Sequence, residues 1–160
     1  ELEKLAIFSQ THNDKNKALK KSPVITCEMV NELISGITTN SLQIGDSLLK
    51  RKLGIAISLL DSLLDSGEPA LRILATLTGQ VRGCLWVSLL EREGEKDIQT
   101  IAKASGIGNP KRIYVIRKQI QGKEPKEFLK LLNQLLNIEA SLKRGKLPKD
   151  AFRDGLLTDN

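Results

Sequence analysis

This chain is poor in the side chains that usually do chemistry. It has one histidine, His12, set in the polar run SQTHNDKNKALKK, and two cysteines, Cys27 and Cys84, with none of the His or Cys spacings that hold a metal. No G-x-x-x-x-G-K-[ST] run cradles a phosphate, and no G-x-S-x-G elbow presents a nucleophile. Acidic pairs such as Glu91 and Glu95 lie beyond an apolar helix, where i,i+4 carboxylates are ordinarily solvated. These absences leave no candidate catalytic residue, no cofactor-binding residue and no metal ligand. Aromatics are scarce too: Phe8, Trp86, Tyr114, Phe128 and Phe152 are the whole set, and no alternating run bounded by hairpin turns predicts a strand.

Leucine and isoleucine at helical spacing are abundant. The stretch from Pro69 to Leu90 carries only Arg72 and Arg82 as formal charges, and we read it as the central helix. Leu71, Leu74, Leu77, Val81, Leu85 and Leu89 form its stripe; Ile73, Cys84, Val87 and Leu90 fill the flanks, so more than one face needs a cover. Its arginines, hydroxyls and the following Glu91-Arg92-Glu93 argue against a membrane span. Ala75, Gly79 and Gly83, four apart, predict a ridge on which a neighbouring helix packs closely.

The remaining elements follow from caps and breakers. Residues 2 to 8 read as the end of a helix, 9 to 21 as a mobile loop, and 27 to 35 as a helix opened by Thr26 and ended by Gly36. Helices are predicted over 41–51, 53–65, 97–105, about 110–121, 125–144 and 150–157, all without a sheet. Cys27 and Cys84 fall on apolar helix faces, which predicts two buried reduced thiols rather than a disulfide. No targeting segment is visible; the start at Glu1, already in helical period, predicts a fragment.

The net charge of +6 is unevenly spread. Residues 1 to 38 balance five basic against five acidic side chains, whereas 96 to 130 hold nine basic against three acidic. Within that basic half, residues 97–120 have the layout of a helix-turn-helix. Ile98, Ile101 and Ala102 would pack on Ile113 and Ile116, Gly106 would make the turn, and Lys111, Arg112, Arg117 and Lys118 would face outward for phosphates. The start of the second helix, Gly108-Asn109-Pro110-Lys111-Arg112, is short of base-reading side chains, so two helices of a larger bundle is the alternative. Any DNA binding should be weak and non-specific.

ITCEMVNELIS at 25–35, GIAISLLDSLLDSGEPALRILATLTGQVRGCLW at 54–86, DIQTIAKASGI at 97–107 and IEASLKRG at 138–145 occur in that order. Together they resemble the carboxyl-terminal half of the delta subunit family of the bacterial DNA polymerase III clamp loader. Glu139 stands where the family often has aspartate, four before Lys143. The resemblance implies an all-α helical bundle, a collar domain over 39–160, preceded at 1–38 by the end of a helical AAA+ lid. It implies a cytoplasmic clamp loader subunit without ATPase activity, belonging to a nucleotidyltransferase holoenzyme and active in DNA replication. Its partners would be the gamma/tau-type ATPase subunits and delta prime, joined through the collar, while the sliding clamp would be met by an absent first domain. The rival reading is a helix-turn-helix DNA-binding protein using 97–120.

Overall fold

The computed structural model describes residues 41–157, and these form seven helices with no strand among the described residues. Helix α1 covers 41–49. It is followed by α2 (Leu53–Asp65), α3 (Ala70–Arg92), α4 (Ile98–Ser105), α5 (Arg112–Ile120), α6 (Pro125–Lys143) and α7 (Pro148–Leu157). The expectations for residues 1–40, including the lid helices, the loop at 9–21 and Cys27, lie outside the described residues.

Local chemistry accounts for the boundaries. At the start of α4 the Asp97 carboxylate accepts from the Thr100 backbone N–H and hydroxyl, both at 2.7 Å, and these bonds hold its carboxyl below the ordinary range. At its end Gly106 turns left-handed at φ 70°, which glycine adopts without a Cβ penalty. Helix α6 opens with Glu124 and Glu127 in a capping box and Pro125 in the first turn, and finishes on Lys143 beside the negative end of the dipole. Helix α1 stops two residues short of the expected 51, because the chain turns at Lys50 and Arg51 takes φ 57°.

The long α3 is the axle: α4, α5 and α6 pack on it, α7 packs on α6, and α2 packs on α7. Its buried side comprises Ile73, Leu74, Leu77, Val81, Cys84, Leu85 and Val87. By length and composition α3 could cross a membrane, but half of its most apolar window is buried in the bundle. Phe128, Leu135 and Ile138 of α6, Phe152 of α7, and Ile44, Leu60, Ile101 and Ile113 of the other helices are buried in the same core. At Gly155 an added Cβ would run into the Ile138 side chain, so α6 and α7 approach closely where glycine makes room.

Periodicity misplaces several leucines. Leu71 and Leu89 were expected inside, yet remain 48% and 37% exposed, and Val115, Leu129 and Leu136 are more than half exposed. The small-residue ridge also departs from expectation: Ala75 and Gly79 face outward, and only Gly83 is buried, against Ile107. A 3.6-residue period finds the apolar arc of a helix, but which part of a wide arc is covered depends on how many neighbours there are.

Candidate functional site

The sequence points first to the α4–α5 pair. Ile101, Ala102, Ile113 and Ile116 are buried and Ile98 is partly buried, as the helix-turn-helix layout requires, but both helices lean more on α3 than on each other. The pair is thus built into the bundle. On α5, Lys111, Arg112 and Lys118 are exposed, alongside Tyr114 and Val115 at 55% and 54%. Arg117 was expected to face outward with them. Instead its guanidinium is partly buried, ion-paired with Glu91 at the end of α3, and donates to the Lys96 carbonyl at 3.3 Å. The solvated reading of the Glu91 and Glu95 pair gives way similarly, since Glu95 accepts from the Lys96 and Asp97 backbone N–H groups at 2.8 Å each.

One polar cluster escaped the sequence reading. Asp46 of α1 accepts through Oδ1 from Gln80 Nε2 of α3 at 2.6 Å and from Gln119 Nε2 of α5 at 2.7 Å. One carboxylate thereby ties three helices together. The buried Cys84 thiol lies beside it, 3.9 Å from Gln119 Oε1; burial, then the Asp46 charge, pushes its pKa up to about 11. Such a thiol stays protonated at neutral pH and is a poor nucleophile. Gly45 accommodates this arrangement, because a Cβ there would overlap the Gln80 carboxamide, whose Oε1 is buried without a partner. The available signal was Gln80 itself, an amide set among Leu77, Val81 and Cys84 on the buried arc. Its partner 34 residues away was not readable.

Gln119 is the only carboxamide in α5, and it is spent inward on Asp46. The outward surface of α5 therefore offers cations and apolar groups but no amide to a base edge. Between α1, α2 and α6 a half-open cavity of about 380 Å³ is floored by Leu48, Leu53, Phe128 and Leu131. At its rim Arg51 pairs with Glu127 at 2.7 Å, which lowers the Glu127 pKa. No group of three His, Cys, Asp or Glu side chains suited to a metal occurs among the described residues.

This geometry assembles helices and exposes apolar and basic surface; among the described residues it brings no nucleophile to a base. Compared with known proteins, residues 38–159 match the family described as DNA polymerase III delta subunit, C-terminal domain. No curated protein and no solved structure gives a match.

Proposed function

Since the chain belongs to the family of the DNA polymerase III delta subunit's C-terminal domain, a component of the clamp loader, we propose that residues 39–160 act as its collar, an assembly module in DNA replication. The observation that carries this reading is the extent of the match, which takes in every described helix. The compact unit Asn40–Asn160 supports drawing the collar there, with 1–38 as the end of the AAA+ lid. In this reading the partners are the gamma/tau-type ATPase subunits and delta prime, in the cytoplasm, and affinity comes from a packed surface rather than from a nucleotide. The domain takes no catalytic part in the holoenzyme's nucleotidyl transfer. Lys111, Arg112 and Lys118 supply only weak, sequence-independent attraction to DNA, and the clamp is met by another domain.

Gel filtration tests this. The chain should comigrate with the loader subunits without ATP and run separately from the sliding clamp. Comigration with the clamp alone, or with no loader subunit at micromolar concentration, would overturn the reading.

A further inference from the structure

The outward side of α3 is unusual for a solvent-facing helix. At 100° per residue, Leu71, Ala75, Gly79, Arg82, Trp86 and Leu89 fall within an arc of roughly 80°, running the length of the helix. All six are exposed, with Leu71 at 48%, Trp86 at 45% and Leu89 at 37%. An amphipathic helix ordinarily turns its polar face to water, whereas this one carries a single charge amid five apolar or small residues. The middle of the stripe is shallow, since a Cβ added at Gly79 meets nothing within 4 Å. A second backbone can approach there, flanked by Leu71 on one side and Trp86 on the other.

The charge indicates what covers this face. Arg72, nearer the start of α3, has the Glu68 carboxylate 3.5 Å away, but Arg82 makes no ion pair or hydrogen bond among the described residues. A two-fold contact with a second copy, centred on Gly79, would bring two Arg82 side chains together within a turn of the axis while stripping water from both. A head-to-tail contact would leave this face uncovered at the end of every assembly that did not close into a ring. The matching surface is therefore on a different chain and holds a carboxylate where Arg82 sits. We propose that this face receives an amphipathic helix of another clamp loader subunit, its apolar side on Leu71, Ala75, Gly79, Trp86 and Leu89 and an acidic side chain opposite Arg82. The inference rests on the assembly reading above and assigns the surface that carries it. Trp86 fits the role of central anchor, as a large side chain half in water that is buried on contact.

Trp86 is the only tryptophan, so one label reports on the face. The full chain grown on 5-fluorotryptophan should give a single fluorine resonance that is sensitive to exchange of H2O for D2O. Adding the gamma/tau-type ATPase subunit, or that subunit with delta prime, should shift the resonance and remove the sensitivity. Gly79→Leu fills the open stripe with a better helix former and should weaken the association at least tenfold without lowering the unfolding midpoint. Arg82→Glu should weaken it comparably. If the chain joins the loader while the resonance stays put and Gly79→Leu binds like the unaltered chain, the face is not the interface and the assembly reading survives. If no loader subunit binds, both fall. A resonance that is insensitive to D2O in the isolated chain, or that shifts with its own concentration, would show that the chain itself or a second copy occupies the face, and would equally overturn the proposal.

Discussion

Among the places in this bundle where polar contacts tie together elements distant in sequence, two do so by opposite means. At the α1–α3–α5 junction a single carboxylate oxygen, Asp46 Oδ1, receives two amide donors beside the buried Cys84. Along the α2–α7 flank the contacts are ion pairs at the surface, Arg153 with Asp61 and Lys149 with Asp65, both at 2.6 Å. The distances are alike, but the flank pairs lie more open to water than the partly buried junction, where Gln80 is 9% exposed. Desolvation makes a partner hard to replace, so the uncharged amides at the junction should matter more to stability than the full charges on the flank.

The largest test is Asp46→Ala, which strands the Gln80 and Gln119 amides. At about 1–3 kcal/mol for each donor left unsatisfied, we expect a loss of about 3 kcal/mol in urea unfolding. A loss no greater than at the flank would erase the distinction between the two regions.

The next test uses alkaline pH. The Cys84 thiol titrates near 9.0 in an unfolded chain and at about 11 in the fold, so the folded state holds the proton longer. Its stabilising contribution is complete below the unfolded value and is lost as pH rises from 9 to 11, by up to about 2–3 kcal/mol at roughly 1.4 kcal/mol per unit. Unfolding midpoints followed from pH 8 to pH 11 should fall less steeply in Cys84→Ala; parallel curves would remove the thiol from the account.

Arg117→Ala sits between the two regimes, because the pair with Glu91 is about 30% exposed on each side. It should cost about 1 kcal/mol and leave DNA affinity nearly unchanged. Joint replacement of Lys111, Arg112 and Lys118 by alanine should do the reverse, lowering salt-sensitive DNA retention without moving the unfolding midpoint. The smallest effect is expected for Arg153→Ala, whose partner Asp61 raises its pKa although the Arg153 side chain is 45% exposed. Its change in midpoint should be within scatter and vanish in 0.5 M salt; a clear shift there would show that flank and junction are alike.

The junction also marks the limit of what was legible in advance. Asp46, Gln80 and Gln119 each sit on helices that were found from period and caps, and the sequence shows Gln80 to be a polar residue on an apolar arc. That a carboxylate 34 residues upstream and an amide 39 downstream converge on one point is a property of packing. Arg117 illustrates the same boundary from the other side. Its type and spacing matched the exposed Lys118, but rotation of α5 against α3 turned one toward Glu91 and left the other in water.

Local chemistry in the sequence determined the helical class, because leucine-rich 3.6-residue periods leave no alternating strand, and it determined the stops, because Asp97, Gly106 and Pro125 act within one turn of themselves. The order and spacing of the landmark segments, three of which fall within the matched residues, were likewise enough to indicate the family, since order and spacing survive without coordinates. Only the tertiary structure decided which leucines are core, that Ala75 and Gly79 face outward, and which charges are spent on neighbours. Burial depends on what stands opposite a residue, and that is set by long-range packing.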